Sequence, residues 1–513
     1  MSSILTNNSA MVALQTLQNI NKNLGMTQGE ISTGKSIANA KDNSAVWAIS
    51  KTMESDVAGF KAIQDSLNLG DSTVAVARTA SERVTDLLTE IKGKVVASQE
   101  ENVDRGKIKA DIDELVNQIK STVGAAQFNG LNLVKGSEDV EILSSLDRSS
   151  SGVAASNISV SRQDLTTDAG NRGTTALSGV TVADYGTITD SQGAAVTTTT
   201  AATGKDMDIT IGGTIAVGDT LSLDINGNSL SFTATTTNAA DVADALKGQI
   251  NALGLEGVTA DNTGGVLTIS NTNAYESVDV ANLAETGAAS TIAVTEVNGN
   301  TSPPSATSGT IEQRAETIDL SSTTALSEGD TFSVTVGGDS FFYVAGKSES
   351  MEDVAKGLAT AINTSDTDGV EARATQADDG TWSLAVDDDT GGQAFGLQVT
   401  TGGDATGGLF GLDNLNVDSN ENASKALDTI ETLISNSIDA AASLGSAQGR
   451  IEKQNDFMGN LIDNFTSGIG SLVDANMEEA SARLQALQVQ QQLATQSLSI
   501  ANQAPQSILA LFR

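Results

Sequence analysis

Cysteine and histidine are both missing from this chain of 513 residues. Without cysteine no disulfide, thiolate metal site or thiol nucleophile can form. Without histidine the commonest general base and the commonest transition-metal ligand are gone. Carboxylate chemistry survives, but no pair stands out among 65 acidic residues, so no catalytic, cofactor or metal site is expected. Proline is scarce as well. Only Pro303, Pro304 and Pro505 occur, which leaves the first 302 residues free to run as uninterrupted helices. Aromatics make up 3% of the chain against 49 glycines, which argues against one large aromatic core. No apolar run approaches the roughly 18 residues of a membrane span. Residues Met1–Asn8 carry neither the basic start nor the apolar core of a secretory signal, so an extracellular destination implies export without a cleaved peptide.

What is present divides the chain into two like ends and an unlike middle. Residues 1–145 and 425–513 show apolar side chains stepping by three and four, the helical period. Near the N-terminus Leu17, Leu24 and Ile31 lie seven apart, with Leu14 and Ile20 beside them. Near the C-terminus Val473, Met477, Ala480, Leu484, Leu487, Gln491, Ala494, Leu498 and Ala501 form a heptad seam, which marks a helix seeking a partner helix. Gln491 is the polar position of that seam and the candidate for setting register. Further helical pattern covers Val74–Ser98 and Ile108–Val123, and Asn129-Gly130 reads as a turn closing that block. Pro505 is expected to break or bend the last segment, because the residue before a proline is biased away from helix. The apolar stretch that follows, Ile508 included, needs a neighbour to cover it.

The middle is rich in Gly, Thr, Ser and Asp and reads as β-structure. Residues 151–420 hold 36 acidic and 8 basic side chains, which is −28 of the total −37. Such an acidic body repels phosphate backbones and anionic membranes, so neither nucleic acid nor membrane is an expected partner. The insert also repeats itself. Gly218–Ser222 recurs as Gly329–Ser333, Asp241–Ala243 as Asp353–Ala355, and Gly257–Ala260 as Gly369–Ala372, at offsets of 111 or 112. Each copy reads as two alternating strands, a short helix and two more strands. Pro303-Pro304 is expected to separate the copies. The resulting division is 1–45 with 470–513, 46–145 with 425–469, a first β-rich unit at 146–302 and a second at 303–424. The expected class is α+β, with long coiled-coil-like terminal helices packed together and a β-rich outer insert.

Two motifs tempt other readings. Gly29–Ser36 satisfies the phosphate-loop pattern, which must follow a buried strand and open a helix. Here helical spacing precedes it, so a bend or helix cap is the preferred reading, with a nucleotide-binding protein as the remote alternative. Asp387-Asp388-Asp389 lacks the glycine and later glutamate of a calcium loop and reads as a solvated turn.

Several ordered stretches together resemble bacterial flagellins. Ile31–Gly34 with Asn39–Ala45, the Gln127–Gly130 turn, Leu444–Arg450 and the Ala501–Leu509 tail are similar to that family's terminal segments. Where relatives carry an Arg-Ile-Glu-Asp-Ala-Asp run, this chain reads Leu472–Glu478. The resemblance implies a homopolymer, the swimming filament outside the cell, whose terminal helices form inner tubes and whose insert projects outward. It also implies an export apparatus, an export chaperone, hook-junction and cap proteins as partners. A hook–filament junction protein shares the same plan and is the nearer alternative. The apolar seams are diluted by Ala, Ser and Gln, so roughly the first and last 40 residues are expected to be disordered in the free chain and to fold on assembly.

Overall fold

The computed structural model describes residues 7–149, 152–189, 195–196, 198–200, 205–303, 305–321, 324–365, 367, 369–377, 379–389 and 394–511. Its helices are α1 (Asn8–Thr33), α2 (Ser44–Ser98), α3 (Arg105–Ala125), the single turn α4 (Val182–Tyr185), α5 (Ala239–Ala252), α6 (Met351–Asn363), α7 (Asn420–Val473) and α8 (Met477–Leu511). The class is α+β, with the helices at the ends and the sheets in the middle. Two compact units partition the chain: 1–72 with 141–160 and 447–513, and 73–140 with 161–446.

In α2 the helical period is read off burial. Ile63, Leu67, Gly70, Val74, Ala77, Ser81, Val84, Leu88, Ile91, Val95 and Ser98 are all buried, and their spacing alternates four and three without interruption. Within the first unit, Phe60 meets the edge of Phe465 with ring centroids 5.5 Å apart. A hairpin described below packs Ile142 onto Gly70, where a Cβ would approach the Ile142 side chain to 2.5 Å, so any larger residue would force Ile142 to shift. Within the second unit, α2 and α3 bury Leu87, Leu88, Ile112 and Ile119, and α7 contributes Ile430, Leu433 and Leu444 to the same class of fully buried side chains. Polar contacts interrupt that core at Ser437, whose hydroxyl donates to the Ser81 carbonyl over 3.1 Å and lies 2.9 Å from Thr85 Oγ1.

The strands begin with the hairpin β1 (Gln127–Phe128) and β2 (Leu131–Asn132). Its turn residues Asn129 and Gly130 both take positive φ, 50° and 82°, as the Asn-Gly pair of a two-residue hairpin requires. A second hairpin follows, β3 (Val140–Ser149) and β4 (Gly152–Val160). Next come the short strands β5 (Thr175–Ala176), β6 (Gly186–Thr189), β7 (Ala195–Val196) and β8 (Thr198–Thr200).

Two β-bodies then occupy the insert. The first contains β9 (Lys205–Gly213), β10 (Thr220–Ile225), β11 (Asn228–Thr233), α5, β12 (Val258–Thr263), β13 (Val266–Asn271), β14 (Val278–Glu285), β15 (Ser290–Val297) and β16 (Gly309–Ile311). The second contains β17 (Glu316–Leu320), β18 (Thr331–Val336), β19 (Asp339–Val344), α6, β20 (Val370–Gln376), β21 (Trp382–Asp388) and β22 (Ala394–Thr401). The sheets correspond strand for strand. Orders β11-β10-β14-β16 and β12-β13-β9-β15 in the first body answer to β19-β18-β22-β5 and β20-β21-β17-β6 in the second, which adds β7 beside β6 and β8 beside β22. Side-chain detail repeats too. Asn251 brackets the Ala260 backbone with bonds of 3.0 and 2.8 Å, and Asn363 brackets Ala372 with bonds of 2.7 and 2.8 Å. Each body closes over its own core, centred on Leu221, Leu246 and Ile269 in one and on Phe332, Leu358 and Leu384 in the other.

The division expected at residue 303 is not where the bodies part. Pro303 sits between β15 and β16, which both belong to the first body, and Pro304 lies outside the described residues. Strands β5 and β6, well before the first body, pair with β22 and β17 of the second. The first body is therefore inserted within the second. Its entry residue Lys205 and Glu316, the first residue of β17, form an ion pair of 3.0 Å at 4% and 3% exposure. Asp387, part of the acidic triplet, is held bidentately by Arg314 at 2.8 and 2.5 Å. Among the described residues no cluster of His, Cys, Asp or Glu suits a metal ion.

A buried charge stripped of its partner is strongly penalised. Lys205→Met should lower insert stability by about 3–5 kcal/mol in chemical denaturation, while Lys205→Met with Glu316→Leu should recover most of that loss. Equal losses in the single and double variants would contradict the pairing's role.

Candidate assembly interface

The ends of the chain meet in one antiparallel helix pair. On α1 the covered positions are Ala10, Ala13, Leu17, Ile20, Leu24, Thr27 and Ile31, stepping alternately by three and four. On α8 they are Ala480, Leu484, Leu487, Gln491, Ala494, Leu498 and Ala501, stepping alternately by four and three. Both are unbroken heptad seams, the condition for knobs-into-holes packing. Two polar contacts fix their alignment. Gln491 Nε2 donates to Asn21 Oδ1 over 2.7 Å, and Asn7 Nδ2 donates to the Ala501 carbonyl over 2.8 Å.

Most sequence-derived seam residues fall on this face: Leu17, Leu24, Ile31, Leu484, Leu487, Gln491 and Leu498. Leu14 does not. It is 47% exposed, because the covered row passes through Ala13 and Leu14 lies a further 100° round the helix. Met477 is also outside, at 43% exposure. The reason is a break that the heptad arithmetic concealed: α7 ends at Val473 and α8 starts at Met477, so 473–501 is not one helix. Val473, 2% exposed, belongs to the end of α7. Ile508 lies within α8, and its side chain is outside the described set.

The break is stitched to a matching break at the end of α1. Gly34 caps α1 in the left-handed conformation, φ 70°, which glycine adopts without a Cβ clash. Lys35 and Asp474 then form a short antiparallel β-bridge. Ser36 N–H donates to the Val473 carbonyl at 2.7 Å, and Ala475 N–H to the Gly34 carbonyl at 2.9 Å. Asn476 accepts from the Glu478 and Glu479 amides and starts α8, with two acids in the first turn favouring the helix dipole. Glu54 lies beside the bridge, 2.5 Å from Lys51 and 3.6 Å from Lys35. The hydrogen bond from Lys51 is the main cause holding its carboxyl below the usual range; burial opposes it, and the charges of Lys51 and Lys35 assist.

This geometry removes the phosphate-loop reading of Gly29–Ser36. Gly29 through Thr33 are the last turn of a helix, Lys35 is a bridge residue, and Ser36 bonds to Val473. A phosphate loop needs the reverse order, strand then loop then helix.

Pro505 was expected to break or bend the last segment; α8 is not broken there and continues to Leu511. Asn7 was not singled out by the sequence pattern, although Asn before an apolar-periodic run is the ordinary signal of a helix cap.

The opposite side of α8 carries a second apolar row. Val489, Leu493 and Ile500 are 56%, 58% and 68% exposed, and each follows a covered residue (Leu487, Gln491, Leu498) by two positions. Two positions are 200° of rotation, so this row faces directly away from α1. On α1, Met11, Val12 and Met26 are exposed at 61%, 64% and 55%.

Comparison with known proteins gives the same outline. The bacterial flagellin N-terminal helical region matches residues 4–139, and the C-terminal helical region matches 427–512. Flagellin A of Rhizobium meliloti (strain 1021) is 33% identical over 516 residues, covering all of both chains. Another Rhizobium meliloti flagellin A is 30% identical over 526 residues, again covering all of both. A Brucella melitensis flagellin is 39% identical over 166 residues, 32% of this chain and 59% of its own. Among solved structures, flagellar hook associated protein-3 from Legionella pneumophila aligns with 82% of this chain and 98% of its own at 10% identity and a TM-score of 0.29.

Two measurements follow from the interface. Gln491→Leu replaces the cross-helix hydrogen bond with a residue indifferent to register. It should give polymers at least as heat-stable but with mixed helical windings, and a single unchanged symmetry by electron microscopy would refute this. Glu54 titrates below its ordinary value of 4.5 in the folded state, so its contribution is complete above 4.5 and fades as pH falls through the lowered value. Glu54→Gln should therefore speed exchange of the Ser36 and Ala475 amides near neutral pH and flatten their pH dependence in acid. Parallel pH profiles in the two proteins would count against it.

Proposed function

The chain belongs to the bacterial flagellin family, and from that premise we propose how its own residues carry out polymerisation. It is a structural subunit of the flagellar filament, which lies outside the cell and drives swimming. Flagellin relatives that match along the whole chain favour this over a hook–filament junction protein.

One observation carries the assembly reading: α8 is apolar on two opposite faces, and this chain covers only one. Burying a Val, Leu or Ile side chain contributes about 1.5–3 kcal/mol. The intrachain seam half-buries Leu17, Ile20, Leu24, Ile31, Leu484 and Leu498, fully buries Leu487 and is diluted by five alanines, so cover of Val489, Leu493 and Ile500 by a second copy adds substantially to what holds α8 in place. Repetition along the filament supplies stiffness without any strong single contact.

Family membership suggests the layers, and the exposed apolar residues of α1 and α8 support placing these two helices innermost. Residues 1–45 with 470–513 form the innermost tube, and 46–145 with 425–469 the helical layer around it. The two β-bodies project outward, where their acidic surface keeps neighbouring filaments apart. Export through the flagellar apparatus, with its chaperone and without a cleaved peptide, and contact with junction and cap proteins rest on family membership alone.

Filaments sheared from cells, depolymerised in acid and returned to neutral pH should regrow from the purified chain. Val489→Gln with Leu493→Gln should raise the monomer concentration left at equilibrium by at least about a hundredfold, while the β-bodies unfold as before. Regrowth indistinguishable from the unmodified chain would show that the outer row of α8 is not an interface.

A further inference from the structure

Pro505 stands inside α8, where a proline removes an intrahelical hydrogen bond. The missing N–H is the one that would serve the carbonyl four residues earlier, that of Ala501. Asn7 Nδ2 donates to that same carbonyl over 2.8 Å, from a residue 494 positions away in sequence. The other half of the Asn7 amide is also in use. Its Oδ1 accepts from the Ala10 N–H at 3.1 Å and caps the start of α1.

We propose that Asn7 is a positioning residue that sets the register of α1 on α8 and makes the last turns of α8 conditional on docking of α1. The chemistry selects asparagine. Aspartate caps helices about as well but has no donor when ionised, and serine and threonine carry both functions on a single oxygen, whereas the amide places acceptor and donor on separate atoms of one short, rigid group. Register follows from supply. In an α-helix each carbonyl before the last turn is served by the N–H four residues on, and Pro505 withholds that N–H from Ala501, which leaves an open acceptor within reach of the first turn of α1. A slip by one heptad toward the start of α8 brings Asn7 opposite the Ala494 carbonyl, which the Leu498 N–H serves, and leaves Ala501 without Asn7. Conversely, with α1 undocked, the Ala501 carbonyl turns to water and the helix beyond residue 501 loses the one protein donor that stands in for the missing Pro505 N–H. A heptad seam of alanines is permissive about sliding, and this contact is not.

The proposal uses the assembly reading for its assay, and a double-mutant cycle in reassembled filaments of the full chain tests it. Asn7→Asp keeps a cap acceptor and, ionised at neutral pH, has no donor. It should raise the residual monomer concentration about tenfold beside Pro505, the cost of leaving a covered carbonyl unpaired. Beside Pro505→Ala, whose new N–H serves Ala501, the same change should cost less than about twofold. Equal increases in both backgrounds would reduce Asn7 to a helix cap, and no increase in either would leave it without a role; both results overturn the proposal. If Pro505→Ala fails to polymerise, solid-state NMR of unmodified filaments decides. A contact between the Asn7 side-chain nitrogen and the Ala501 carbonyl carbon is expected, and its absence overturns the proposal. Failure of the unmodified chain itself to polymerise would instead sink the assembly reading.

Discussion

Pairing of α1 with α8 is the constraint on which the rest depends, because it joins residues almost 500 positions apart. Closing so long a loop in an unstructured chain costs entropy that grows with the logarithm of its length. Here the closure is shared with another contact. The Lys35–Asp474 bridge and its two flanking backbone bonds hold the ends of α1 and α7 together, so pairing can proceed outward from a tied junction. Each further turn adds one seam residue from each helix, many of them alanine. The balance is close at every step, which suits a segment that must remain open until a neighbour arrives.

That balance also gives the small residues a mechanical meaning. Leucine at every seam position would make the helix pair independent of assembly and tie it to one spacing. Alanine, threonine and glutamine in the same heptad preserve the geometry and lower the depth of the minimum. Alignment then passes to a few directional contacts: Gln491 with Asn21, and Asn7 with Ala501. Apolar area and register are carried by different residues, so one can vary without the other.

The helices were largely legible from sequence, because a period of three and four needs no knowledge of the partner. The covered seam residues Leu17, Leu24, Leu484, Leu487 and Leu498 were found in this way, as was the Asn129-Gly130 turn. Failures came where the deciding contact is distant or local chemistry is silent. Pro505 sits in a helix because its orphaned acceptor finds Asn7, which no local rule anticipates. The break at 474–476 contains neither glycine nor proline, so the heptad count ran through it and wrongly included Met477. Strands β5 and β6 are too short and too rich in threonine to reveal that they complete a body beginning over a hundred residues later. The repeat itself was visible, but its nesting is a property of pairing, and pairing is not periodic.

Amide hydrogen exchange, compared between free chain and filament, tests most directly whether α1 and α8 depend on a second copy. Residues 8–33 and 477–501 are expected to exchange at nearly unfolded rates in the monomer and to be strongly protected in the filament, while the β-bodies stay protected in both. Protection of α1 and α8 in the monomer equal to that in the filament would contradict it.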